Sequence, residues 1–171
     1  MKRLSSILFI SILLSACSMS DMEKRALYAE RYSQSNEYVA QFAKEIEGLS
    51  VEQLALSGAK KDKAKMNGKT RMPLGRYLYI EDVKAIKNQV IYEYSVEPVW
   101  WNSLSNTEKN TTQDNMQQDL IYRTCSLKTV ALAQEKGLEE SHQYYYNYAN
   151  KLLAFELKTN KKVCVENGFT R

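Results

Sequence analysis

The chain has 171 residues, 44% of them hydrophobic and 26% charged, with a formal net charge of +4. That length and balance suit one globular domain with an appendage and exclude wholesale disorder. One histidine and three cysteines leave little material for a zinc site or a histidine-based triad, and two prolines without a long Gly/Ser tract speak against flexibly linked domains.

Met1-Lys2-Arg3 is followed by an uncharged stretch from Leu4 to Ser15. Two cations before a short apolar run predict a secretory signal peptide over residues 1–16. The run falls short of the roughly 20 residues that cross a bilayer, and no second run of its kind follows. It ends Leu14-Ser15-Ala16-Cys17, which resembles the lipobox of bacterial lipoproteins. The resemblance implies that the Cys17 thiol receives a diacylglycerol, that cleavage precedes Cys17, and that the freed amine is acylated. A terminus with several acyl chains is firmly held. Ser18 stands where Asp would retain the protein at the inner membrane, and the resemblance to the lipoprotein sorting pattern implies the outer membrane, with the protein at its periplasmic face.

Loss of residues 1–16 removes Lys2 and Arg3 and leaves a net charge of +2, too little to argue for nucleic acid. Asp21 to Gly48 contains neither proline nor an earlier glycine, and Tyr28, Tyr32, Ser35, Val39, Phe42, Ile46 and Leu49 recur at steps of four and three. This predicts one long N-terminal helix whose second half packs on a core and whose first half is a stalk toward the lipid. Ser50 to Ser57 adds a short helix, which closes a lipid-anchored helical segment over residues 17–57. Residues 58–73 hold Gly58, Gly68 and Pro73 among Lys60, Lys61, Lys63, Lys65, Lys69 and Arg71 and are predicted to be a basic loop. With Arg76 against Asp62 alone, this run carries a local charge of +6. It is either a solvated loop or a contact with anionic headgroups or an acidic partner.

Residues 74–171 form the main domain. Val90, Tyr92, Tyr94 and Val96 alternate with Glu93 and Ser95, a half-buried strand. Lys87-Asn88-Gln89 turns into it from a partner strand over Tyr79–Ile86, and Pro98 ends it. Ser105-x-x-Glu108 and Thr111-x-x-Asp114 are two candidate helix starts. The helix that follows runs to Lys136, with Met116, Leu120, Thr124, Leu127 and Ala131 inward and Gly137 as its cap. Tyr144, Tyr146 and Tyr148, a turn at Asn150-Lys151, and Leu153, Phe155 and Leu157 make a second hairpin before Cys164. The fold class is α+β: an antiparallel sheet of four or five strands with helices on one face, after a long N-terminal helix.

With Cys17 acylated, Cys125 and Cys164 are the thiols left in an oxidising compartment, and an even pair there is expected to close. A loop of that length is worth about 3–4 kcal/mol in the chain-entropy account. The alternative is two buried thiols.

The run Tyr122-Arg123-Thr124-Cys125, a helix to Gly137, a tyrosine-rich strand, a turn and a strand ending at Cys164 together resemble the small α/β pilotin lipoproteins of type II secretion systems. The resemblance covers about residues 75–164. It implies a protein that binds the C-terminal segment of a secretin subunit and carries it to the outer membrane.

Catalytic signatures are lacking. His142 has no nucleophile and orienting acid beside it in sequence and reads as a strand-edge histidine. Glu81-Asp82 and Glu139-Glu140 are adjacent acids that point to opposite faces of a strand, without metal spacing. No phosphate loop or dinucleotide fingerprint is present, so no cofactor, metal or enzymatic activity is expected. The twelve tyrosines and Trp100-Trp101 serve either the core edge or an interface. Trp100, Trp101 and Tyr145 are the candidate partner-binding residues, with Asn147 beside Tyr145. The expected function is a non-enzymatic binding or assembly factor, with a secretin segment as its sharpest partner. The alternative is an envelope lipoprotein that binds another surface partner, as an inhibitor or a conjugal exclusion factor does.

Overall fold

The computed structural model describes residues 19–169; the expected signal peptide and the acylation site Cys17 lie outside them. Ser20 and Glu23 form a capping box that starts α1 (Asp21–Arg31). A second start at Ser35, whose hydroxyl accepts from the Tyr38 N–H, opens α2 (Asn36–Ile46). The one long helix predicted over residues 21–48 is therefore two. Its stripe continues in sequence, but Ser35 offers a cap in mid-run and the backbone takes it. α1 is also no free stalk. It lies on a later helix, where the Tyr28 hydroxyl donates to Asp119 and the Tyr122 hydroxyl donates to Asp21.

A second capping box, Ser50 with Gln53, starts α3 (Val51–Ala64). The first half of the predicted basic loop is thus helix. Alanines and lysines are good helix formers and carry the helix through Gly58, while Ala55 and Ala59 supply a buried face. Several of its cations are paired, Lys63 with Asp82 at 2.6 Å and Lys65 with Asp62 at 2.5 Å.

The sheet follows as β1 (Met72–Pro73), β2 (Leu78–Ile86) and β3 (Gln89–Val96), a meander whose tight turn places Lys87 at φ 54°. Pro98 ends the strand and opens the short α4 (Pro98–Ser103). The Ser105–Glu108 capping box then starts α5 (Asn106–Cys125), and α6 (Lys128–Glu135) follows a break at Ser126-Leu127. β4 (Glu139–Asn147), β5 (Leu152–Thr159) and α7 (Lys161–Glu166) complete the chain.

The sheet has five strands in the order β1-β2-β3-β4-β5. It is not wholly antiparallel: β3 and β4 pair in parallel, Tyr92 opposite His142 and Tyr94 opposite Tyr144. Two hairpins joined by one tight turn would alternate in direction, but these are joined by helices. At about 1.5 Å per residue, α5 spans about 30 Å and returns the chain along the full length of a strand. The helices cover one face. Tyr94, Tyr144, Phe155 and Trp101 stack across the core at successive centroid distances of 4.6, 4.4 and 5.3 Å.

The opposite face is closed by its own side chains. Glu93, expected on a wet face, is 2% exposed beneath Lys84, Lys151 and Tyr148. Cys125 at the end of α5 and Cys164 in α7 are joined as a disulfide with Cα atoms 5.5 Å apart, tying the long helix to the segment after the last strand.

Candidate functional site: a groove between the helices

Five strands about 4.8 Å apart make a face about 20 Å wide. α3 packs over β2 and β3 and α5 over β5, so the two helices flank the β3–β4 pair. A groove of about 590 Å³ lies there. Its floor is Val90, Tyr92 and Tyr94 of β3 with Glu140 and His142 of β4; Leu54 and Gly58 of α3 line one wall, Leu120 and Thr124 of α5 and Val130 and Ala133 of α6 the other, and Tyr38 and Phe42 of α2 stand at its margin. These residues meet because the apolar stripes of separate helices face one strand pair whose inward positions recur every second residue.

The floor is aromatic with a polar end. The Tyr92 ring stacks on His142 with centroids 4.6 Å apart, and the Tyr92 hydroxyl donates to Asp62 of α3 at 2.5 Å. The Tyr94 hydroxyl lies 2.9 Å from His142 Nδ1. Burial pushes both tyrosine hydroxyls well above their usual range, and the charge of Glu140 adds to this at each. Tyr144 is raised to about 12 by burial, with Arg123 of α5 working against the rise.

His142 belongs to an inner strand of the sheet, not an edge, and is 4% exposed. Its Nε2 has no hydrogen-bond partner and stands 3.6 Å from Glu140 Oε2. A buried polar group left without a partner costs about 1–3 kcal/mol. Among the described residues, the histidine side chain's one hydrogen bond is to a tyrosine, and no serine, threonine or cysteine is bonded to it. What the groove offers is apolar area with hydrogen-bonding groups at its base and the cations Lys61, Lys65 and Arg123 in its lining. Among the described residues, no group of three histidine, cysteine or acidic side chains is placed to hold a metal ion, and no helix is long and apolar enough to cross a membrane.

Trp101 lies in the core, 5.3 Å from the Phe155 ring, and Tyr145 is buried on the opposite sheet face, with Tyr148 and Lys151 against its ring. Trp100 is half-buried and stacks on Tyr77 at 5.2 Å. None of the three lines the groove. A second cavity, of about 560 Å³, takes in Arg71, Glu81, Ser95, Glu97 and Tyr148, with Arg71 pairing with Glu81 at 3.0 Å. Sequence reasoning paired Tyr92 and Tyr94 with the core yet missed Asp62, Gln34 and the inward role of Glu140. The findable signal was the period of two in Glu140, His142 and Tyr144.

No protein-family model matches the sequence, and no curated protein does. Solved structures do. A protein of Pseudomonas aeruginosa is 14% identical, overlaps 68% of this chain and 99% of its own, and superposes with a TM-score of 0.52. The type II secretion pilotin EpsS of Vibrio vulnificus is 13% identical over 73% of this chain and 96% of its own, with a TM-score of 0.47. The pilotin AspS of Vibrio cholerae is 16% identical over 73% and 97%, with a TM-score of 0.46. At such identity the Pseudomonas protein shares the fold alone, and the two pilotin overlaps are too loose to bear on function.

Proposed function

We propose that this protein is a lipid-anchored assembly factor of the cell envelope, acting without catalysis as a pilotin does, and that it takes an amphipathic helix from the C-terminal segment of a secretin subunit into the groove. The groove carries the reading. It is a gap in the helical layer above an aromatic floor, and an amphipathic helix about 10 Å across laid apolar face down would complete that layer. The lipobox ending at Cys17 supports a place at the outer membrane, where such an escort delivers its cargo.

The test is a deletion strain complemented with groove variants. Val130 lines the groove and is half-buried, so Val130→Trp fills the slot from the wall without removing a core contact. Secretin subunits should stay in the inner membrane or be degraded in the deletion strain and in the Val130→Trp strain, and be rescued by the wild type. Normal outer-membrane secretin multimers in the deletion strain would refute the pilotin role and leave an envelope protein with another partner.

A further inference from the structure

We infer that the base of the groove is a subsite for one cationic side chain, so that the bound helix carries a lysine or arginine in the midst of its apolar face. The subsite rests on the groove being a helix-binding site and adds a chemical feature of its occupant.

Glu140 carries it. Its side chain is 14% exposed at the base of the groove, whose lining also includes Lys61, Lys65 and Arg123. The contacts of its carboxylate are the Thr159 hydroxyl at 3.4 Å and His142 Nε2 at 3.6 Å, and no lysine or arginine lies within 4.0 Å of it among the described residues. The other acid of the floor differs: Asp62 has Lys65 and the Tyr92 hydroxyl, each at 2.5 Å. So Asp62 has a lysine of this chain against it, while the basic group nearest Glu140 is His142, at 3.6 Å. The neighbouring histidine makes no hydrogen bond to Glu140 within 3.5 Å. His142 Nε2 is buried, unpartnered and on the groove floor.

A partly buried carboxylate with donors this distant leaves room for a closer, charge-assisted bond, which a partner's ammonium or guanidinium would supply. The Tyr92–His142 stack beside it offers an aromatic face to the same cation. A partner with only apolar residues would seal Glu140 from water and leave it unpaired, and a partner carboxylate would add repulsion. The subsite therefore selects among amphipathic helices by charge, where the apolar walls cannot.

The probe is a set of amphipathic helical peptides of one sequence, with leucines at i, i+3, i+4 and i+7. Lysine, norleucine or glutamate replaces each leucine in turn. Binding to the full-length protein in detergent is read by calorimetry. At one position the lysine peptide should bind about tenfold tighter than norleucine, with glutamate weakest, the scale of a close charge pair shielded from water. Glu140→Gln should erase the lysine preference while norleucine binding persists, and Glu140→Lys should transfer the preference to glutamate. Thermal unfolding of each variant separates lost binding from lost folding, and Glu140→Gln keeps the side-chain shape. Equal binding of lysine and norleucine at every position, or a lysine preference that survives Glu140→Gln, overturns the subsite and leaves the groove standing. Failure of every peptide to bind overturns both.

Discussion

Gln34 holds Thr129 by two bonds: its Nε2 donates to the Thr129 hydroxyl at 2.9 Å, and its Oε1 accepts from the Thr129 backbone N–H at 3.0 Å. Gln34 stands in the break between α1 and α2, and Thr129 in the first turn of α6. The pair therefore fixes the corner where the N-terminal helices meet the groove wall, and gives a helix-start N–H the partner it lacks within its own helix.

Gln34→Ala should cost about 1–2 kcal/mol, since it leaves the Thr129 N–H and hydroxyl unpaired in a buried place. The loss should show in urea unfolding, and α2 amides should exchange faster while those of β3 and β4 keep their protection. Unchanged exchange in α2 would mean that apolar packing of α2 on α6 suffices without the clamp.

Reduction of the Cys125–Cys164 bond should destabilise the protein by about 3–4 kcal/mol, the cost of releasing a loop of this length in the unfolded chain. Cys164→Ser should do the same, with a further penalty because position 164 is fully buried. Thiol alkylation of the unfolded, unreduced protein, read by mass, checks the premise. Two freely alkylated cysteines would show that the bond does not form.

The sheet was legible because its signals are local. Val90 to Val96 and Tyr144 to Leu157 alternate at a period of two, and their turns fall at Lys87-Asn88 and before Leu152. Strand direction was not, because the parallel β3–β4 pairing depends on where α5 carries the chain, and no residue of either strand encodes that. The break at Ser33-Gln34-Ser35 lay within a continuous stripe, and the stripe's period does not see a cap. Trp101 and Tyr145 suit an interface by residue type, yet tertiary packing placed one in the core and the other under Lys151 and Tyr148. The groove was beyond reach: its members come from α2, α3, α5, α6, β3 and β4, and a gap in a helical layer is a property of no single segment.

Cys17→Ser should abolish acylation and release the protein from the outer-membrane fraction. The uncharged run from Leu4 to Ser15 ahead of Ala16-Cys17 motivates this, and two or more acyl chains are what makes such an anchor stable. The check is metabolic labelling with a fatty-acid analogue, followed by sucrose-gradient fractionation. Equal label on wild type and variant would remove the lipid anchor from the proposal.

Glu93 predicts an acid limb in stability. Burial pushes its carboxyl up, but hydrogen bonds from Lys151, Lys84 and Tyr148 together outweigh that and hold it at about 2, below the ordinary 4.5. Between these values the unfolded chain binds the proton and the folded one does not. The contribution of Glu93 to stability is therefore complete above pH 4.5 and is lost as the pH falls toward 2. Glu93→Gln keeps the shape and removes the charge. It should cost about 1–3 kcal/mol at pH 7, the scale of charge-assisted hydrogen bonds lost from a buried acceptor; Lys84 and Lys151, each about half exposed, recover solvation. Urea unfolding of both proteins at pH 7 and pH 3 decides the matter. The gap between wild type and variant should narrow at pH 3, because keeping Glu93 ionised then costs the wild type free energy. Other carboxylates titrate in both proteins and cancel in the difference. A gap of the same size at both pH values would mean that Glu93 is not held ionised by its three donors.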